Sequence, residues 1–204
     1  MPKTYPGEDI AWKALTNSVS LDVCRRTLAQ YRESDGCYLL RALGDDYEIA
    51  PRQRTIERPS NHSFSPDIDF RMMVLAYLTN AKDIELSGKL VQCYQLRGGD
   101  SFFRGAHRLP VQELEARFGK SPRVFREVCL LLDGRDVPYG DVSAEVKALP
   151  RLPLTFVLWV ADDEFPARVS VLFDSTADEH LPLDALLATV RTAVKHIIAR
   201  SQEG

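Results

Sequence analysis

The stretch that decides the fold is VSAEVKALPRLPLTFVLWVADDEFPARVSVLFD, which runs from Val142 to Asp174. Apolar and polar residues alternate over residues 142–148 and again over 167–173, which indicates strands with one buried face. Residues 152–160 between them are almost wholly apolar and predict a central strand buried on both sides. The connections are too short for a helical crossover, so the three strands are predicted to form an antiparallel meander.

Toward the N-terminus, residues 37–43 and 47–50 are strand-like and flank the turn signal Gly44-Asp45-Asp46, which predicts a hairpin. Helical periodicity recurs between this hairpin and the meander, and again after the meander. The chain is therefore predicted to be an α+β protein, in which an antiparallel sheet, made of the N-terminal hairpin and the C-terminal three-stranded meander, is covered by helices. No segment is a clear linker, so residues 1–204 are predicted to form a single domain.

Several helices have recognisable starts. Apolar residues recur at helical spacing from Leu21 to Tyr31 behind a capping residue, Ser20, and predict a helix over this stretch. Ser65-Pro66-Asp67 combines a capping serine, a proline in the first turn and an acid at the positive end of the helix dipole. A closing helix is predicted to begin near Pro182.

Composition limits the classes of function. Apolar residues make up 45% and charged residues 27% of the chain, as in soluble globular proteins, and the net charge is −3. This charge argues against a nucleic-acid partner. The chain contains no apolar run of about 18 residues, so no membrane span is predicted. The N-terminus lacks the apolar region of a signal peptide, so we expect a cytoplasmic protein. The four cysteines show no C-x-x-C spacing, and no cofactor is indicated.

The first candidate site is the acidic turn, defined as Asp162, Asp163 and Glu164. Three adjacent carboxylates repel one another, and a divalent cation would suit their oxygen atoms. An acidic turn between two apolar strands also keeps a hairpin soluble. Both a metal or acid–base site and a solvated turn therefore stay open.

The second candidate is the glycine-rich loop, residues 97–110. It contains three glycines, two phenylalanines and three anion-binding donors, namely Gly98, Gly99, Gly105, Phe102, Phe103, Arg104, His107 and Arg108. Glycines let a backbone approach a ligand closely, and arginines bind carboxylates and phosphates. The other three histidines give no sign of a role: His62 and His180 are predicted to be surface loop residues, and His196 is predicted to lie on the polar side of the closing helix.

Charge links the two candidates. Residues 97–126 hold seven Lys/Arg and three Asp/Glu, a net charge of +4, whereas residues 133–204 have a net charge of −5. The loop and the turn either face each other across a pocket or pair as an internal ion-pair clasp. The predicted ligand-binding residues, for which no catalytic or metal-ligating role is assigned, are Arg104, His107, Arg108, Asp163 and Glu164.

Several segments resemble a known family. These are FFRGAHRLP (102–110), GDVSAEV (140–146), LWVADDEFPA (158–167) and LFD (172–174). They resemble the family known as domain of unknown function 3786, over roughly residues 20–200. The resemblance implies relatives mainly in anaerobic bacteria and archaea, some fused to iron–sulfur cluster domains, but no activity or catalytic residue. Because the cysteines lack cluster spacing, no electron-transfer role is carried over.

Three hypotheses for function follow. The favoured one is a binding module for a small anionic ligand or a partner, using the glycine-rich loop and the acidic turn. The second is a metal-assisted hydrolytic enzyme, with the acidic turn as metal ligands or acid–base pair and His107 as proton carrier. The third, implied by the resemblance alone, is an accessory protein in an anaerobic redox or cofactor pathway. The oligomeric state is not indicated by the sequence.

Overall fold

The computed structural model describes residues 4–202 of the chain. These residues form eight α-helices and nine strands. They are α1 (Glu8–Asn17), α2 (Ser20–Thr27), β1 (Gln30–Arg32), β2 (Cys37–Ala42), β3 (Asp45–Ala50), β4 (Thr55–Glu57), α3 (Ile68–Asn80), β5 (Leu90–Gln92), α4 (Gly99–Phe102), α5 (Gln112–Phe118), α6 (Pro122–Leu130), β6 (Arg135–Asp136), β7 (Val142–Leu149), β8 (Leu152–Trp159), β9 (Arg168–Asp174), α7 (Ala177–His180) and α8 (Leu183–Arg200).

The predicted C-terminal meander is confirmed. Strands β7, β8 and β9 are consecutive antiparallel neighbours, and Leu154 of β8 lies opposite Phe173 of β9. All of β8 is buried except Trp159, as expected for a central strand. Short strands extend both edges, so the sheet order is β5-β9-β8-β7-β6.

The predicted N-terminal hairpin is also confirmed, as β2 and β3, with Tyr38 opposite Ile49. Strands β1 and β4 flank it, and the four strands form a sheet separate from the meander. The Leu43 amide donates a hydrogen bond of 3.1 Å to the Lys147 carbonyl of β7. At the hairpin turn, Gly44 has a φ of 79°, and an added Cβ would lie 2.6 Å from the Leu131 carbonyl oxygen, so only glycine fits there.

The α+β class is confirmed, and the helices join the sheets through one cluster of buried hydrophobic residues. This cluster includes Tyr47 of β3, Phe70 of α3, Phe156 of β8 and Val190 of α8. Helix α8 packs along α3, so the C-terminal helix contacts the segment that follows the N-terminal sheet. Within residues 4–202, no helix is both long and apolar enough to cross a membrane.

Two local predictions were wrong. The helix from Ser20 ends at Thr27, because Leu28 adopts a left-handed conformation with a φ of 58° and the following residues pair with β2 as strand β1. Tertiary strand pairing therefore overrides the helical apolar pattern. The start of α3 also differs: the carboxylate of Asp67, rather than Ser65, caps the helix by accepting a hydrogen bond of 2.8 Å from the Phe70 amide.

Candidate functional site

The glycine-rich loop folds into α4 and a short 3₁₀ turn, and two of its polar side chains, Arg104 and His107, contact local partners. Arg104 pairs with Asp100, four residues earlier, at 3.2 Å. The His107 ring stacks on Phe102 with 4.5 Å between ring centroids. The side chains of Arg104, His107 and Arg108 are exposed. The loop therefore places its predicted donors on the surface.

The acidic turn is held together by its first residue. The Asp162 carboxylate accepts hydrogen bonds from the amides of Glu164 and Phe165, at 2.9 and 2.7 Å, and these bonds lower its pKa. Asp163 and Glu164 are exposed, and neither side chain has a hydrogen bond or ion pair to another described residue. Among residues 4–202, no group of three or more His, Cys, Asp or Glu side chains is placed to hold a metal ion.

The loop and the turn lie at opposite ends of α5. The loop leads into the start of this helix, whereas the turn contacts its end, where the Ala161 amide donates to the Gly119 carbonyl at 3.0 Å. A seven-residue helix is about 10 Å long. Across the part of the chain that the structure describes, no hydrogen bond or ion pair joins the two segments, so the ion-pair clasp is absent there.

A different group of polar side chains surrounds a cavity of about 270 Å³ beside α8. We call it the α8 cavity, and its main lining residues come from the segment between β4 and α3, from α3 itself and from the last turns of α8. They are Arg58, Phe64, Phe70, Thr192, Lys195, His196 and Arg200. Residues three or four positions apart share one face of a helix, which brings the four residues of α8 to the same side.

The cations of the α8 cavity are fixed by acids from other elements. Arg58 and Arg200 both contact the same oxygen of Asp45, at 3.1 and 2.9 Å. The Lys195 ammonium lies 2.6 Å from the carboxylate of Asp67 at the start of α3. Since these pairs join distant parts of the chain, the positions of the three cations are set by tertiary structure.

Two residues that line the α8 cavity each have a buried polar atom without a partner. Arg58 Nε and Thr192 Oγ1 have no hydrogen bond to any group within residues 4–202, and Thr192 is only 2% exposed. Burying such a group without a partner costs about 1–3 kcal/mol, and native proteins usually avoid it. Thr155 Oγ1 and His180 Nε2 are also buried without a partner within residues 4–202, but neither residue lines the α8 cavity. The coincidence of two such atoms at one cavity makes it the candidate ligand site.

His196, predicted on the polar side of the closing helix, completes the cavity. Its Nδ1 lies 2.9 Å from the Thr192 carbonyl oxygen, and its Nε2 lies 3.5 Å from the Tyr47 hydroxyl. The ring is half-buried and stacks on Phe70, with 6.1 Å between centroids. Burial lowers the pKa of His196. His180, predicted as a surface loop residue, lies instead at the end of α7 and is fully buried, and burial lowers its pKa.

Sequence reasoning missed the α8 cavity for a physical reason. The polar residues Thr192, Lys195 and His196 recur at helical spacing and could have been recognised as a polar stripe beside the apolar face of α8. Nothing in the sequence places Arg58 beside them. That contact depends on the pairing of β4 with β3 and on the packing of α3 against α8.

Comparison with models of known protein families identifies the family of this chain. Residues 21–196 match the family described as "Domain of unknown function (DUF3786)". The chain belongs to this family. The matched stretch includes Arg58, Thr192, Lys195 and His196 and ends shortly before Arg200. Neither the curated proteins nor the solved structures include a match to this DUF3786 protein.

Proposed function

We propose that this DUF3786 protein binds a small organic anion, a carboxylate or a phosphate ester, in the α8 cavity. The observation that carries the proposal is the pair of buried atoms without partners, Arg58 Nε and Thr192 Oγ1, which belong to residues lining the same cavity. The proposal retains the class of ligand expected from the sequence and moves it to a different site.

The chemistry of the two atoms favours an anion. Arg58 Nε carries a hydrogen that can only be donated, so its partner must be an acceptor. The Thr192 hydroxyl can donate to the same group. A carboxylate or phosphate oxygen meets both requirements, and hydrogen bonds between ionised groups are roughly twice as strong as neutral ones. Lys195 adds a third donor on the cavity wall.

The shape and lining of the cavity limit the size of the ligand. A volume of about 270 Å³ lies just below the range of about 300–1,000 Å³ that is typical of small-molecule pockets, so the ligand must be compact. Phe64 and Phe70 form an aromatic wall, with their centroids 5.2 Å apart. Apolar surface with a few converging polar groups is typical of small-molecule sites. A single charged group attached to a compact apolar body fits this description.

Calorimetric titration with three probes tests the proposal. Benzoate and phenyl phosphate represent the two anion classes, and benzamide is the uncharged counterpart of benzoate. We expect saturable binding of at least one anion and none of benzamide, with weaker binding to Arg58→Gln and Thr192→Val. If neither anion binds, or if benzamide binds as tightly as benzoate, the proposal is wrong.

Matched variants control for general damage. Arg54→Gln removes an arginine that is four residues from Arg58 and pairs with Asp9 on the surface. Thr189→Val removes a hydroxyl one turn earlier on α8, which donates a hydrogen bond of 2.7 Å to the Ala185 carbonyl. Both control variants should bind the anions as the unmodified chain does. Equal losses in controls and cavity variants would contradict the assignment to this cavity.

Binding at the glycine-rich loop or the acidic turn stays a prediction, and the same titrations test it. Arg104→Gln and the double variant Asp163→Asn with Glu164→Gln alter these two segments without touching the α8 cavity. Loss of anion binding in either variant, with binding retained in Arg58→Gln, would favour the sequence-predicted residues.

A further inference from the structure

We propose that His196 takes up one proton from solvent when an anion occupies the α8 cavity, so that ligand binding is coupled to pH. This inference rests on the proposed function and concerns its regulation. It is carried by the geometry of the imidazole, by the charges that face it, and by its place in the cavity wall.

The hydrogen-bond partners of His196 fix its tautomer. A carbonyl oxygen can only accept, so Nδ1, which lies 2.9 Å from the Thr192 oxygen, carries the hydrogen. In the neutral ring Nε2 is therefore the unprotonated nitrogen, and its lone pair faces the Tyr47 hydroxyl at 3.5 Å. The proton would be added at Nε2, and the Tyr47 oxygen would then accept from the new N–H.

The charged and titratable groups around His196 come from four parts of the fold. They are Asp45 and Tyr47 on β3, Arg58 after β4, Asp67 at the start of α3, and Lys195 and Arg200 on α8. Arg58 and Arg200 oppose a positive charge on the ring, whereas Asp45 favours it. Asp45 is already shared by both arginines, and Asp67 is paired with Lys195.

A bound anion changes this balance. An oxygen that accepts from Arg58 Nε brings a negative charge into the cavity that the imidazole lines. It offsets the repulsion exerted by the guanidinium and attracts the imidazolium directly, because an opposite charge within a few ångströms favours the charged form of a half-buried group. The anion and the proton therefore stabilise each other, and each raises the affinity for the other by the same factor.

Histidine NMR titration with benzoate tests the coupling. Benzoate stays fully ionised from pH 6 to 8, because carboxylic acids titrate near pH 4, so its own charge does not vary. We expect saturating benzoate to raise the pKa of His196 by about one unit, which corresponds to an affinity about tenfold higher at low pH than at high pH. Loss of the resonance in His196→Asn identifies it, and asparagine keeps a donor near the Nδ1 position.

Two further results separate the possible outcomes. His180, buried but outside the lining of the α8 cavity, is the matched control, and benzoate should leave its titration unchanged. In His196→Asn, benzoate should still bind, with an affinity that no longer depends on pH. Binding of benzoate with an unchanged His196 titration would overturn this inference and leave the proposed function standing. Absence of binding at every pH would overturn both.

Discussion

The glycine-rich loop and the α8 cavity contain the same kinds of side chains, arginine, histidine and phenylalanine, but the fold treats them in opposite ways. Arg104 and His107 in the loop are exposed and contact neighbours four or five residues away. In the cavity, Arg58 and Arg200 meet at a single carboxylate of Asp45, although 142 residues separate the two arginines. Of these two regions, only the cavity contains buried side-chain donors that lack a partner among the described residues.

This difference shows why the density of charged residues in a sequence segment is a weak guide to a site. An exposed ion pair contributes about 0–1 kcal/mol, because water competes for both partners. A buried donor without a partner has lost its water and gained nothing, so a ligand that supplies an acceptor recovers most of that cost. The expected effects of mutation therefore differ between the two regions.

The largest effect is expected for Arg58→Gln. Removing the guanidinium should lower the affinity for benzoate at least about tenfold, because a hydrogen bond to a charged group contributes about 1.5–3 kcal/mol. Arg104→Gln should leave the affinity unchanged, since its guanidinium lies on the surface of the loop. Calorimetric titration with benzoate measures the affinity of both variants. Equal affinities would show that the α8 cavity and the glycine-rich loop do not differ in their contribution to binding.

The next largest effects are expected for Thr192→Val, which should raise the stability of the free protein but lower its affinity for benzoate. The substitution should stabilise the unliganded protein by about 1 kcal/mol, because it removes a buried hydroxyl without a partner. For a chain of this size, that is a rise of about 2–4 °C in Tm. The same change should weaken benzoate binding.

Thr189→Val provides the reference for this prediction. Its hydroxyl is buried but bonded to the Ala185 carbonyl, so its loss should cost up to about 1 kcal/mol. Urea unfolding measures both variants. A destabilised Thr192→Val would mean that its hydroxyl already has a partner, and the argument for a ligand would fail.

A pH effect is expected from His196. Burial lowers its pKa in the folded state, so between this value and the unfolded value near 6.5 the unfolded chain binds more protons. The free energy of unfolding should therefore fall as the pH drops below about 6.5, and His196→Asn should reduce this fall. Urea unfolding at pH 7.5 and 5.5 measures it. An unchanged pH dependence in the variant would show that His196 does not resist protonation.

The smallest effect is expected at the acidic turn. The double variant Asp163→Asn with Glu164→Gln should change the free energy of unfolding by less than about 0.5 kcal/mol, as exposed substitutions usually do. It should leave benzoate binding unchanged, and the unmodified turn should not bind Mn²⁺ in a calorimetric titration. Binding of Mn²⁺ that is lost in the double variant would restore the metal-assisted alternative.

The sequence was sufficient for most of the fold. Period-two alternation in β7 and β9, with an apolar β8 between them, is set by burial on the faces of a sheet and can be recognised locally. The end of α2 was missed because Leu28 leaves the helix for a strand pairing that no local pattern records.

The candidate site was far less predictable. Glycines and arginines close together in sequence drew attention to residues 97–110, whereas Arg58 and Thr192 carry no signal of their own. Their importance depends on which atoms lose water and which find partners after folding. That information resides in the contacts of β3, β4, α3 and α8, which become neighbours only in the tertiary structure.

The most direct test of the central claim is a crystal structure of the protein with 4-bromobenzoate, in which the anomalous signal of bromine locates the ring. The account predicts a carboxylate within hydrogen-bond distance of Arg58 Nε and Thr192 Oγ1, with the ring against Phe64 and Phe70. A ligand bound instead beside Arg104 or Arg108, or an α8 cavity that stays empty at saturating 4-bromobenzoate, would contradict it.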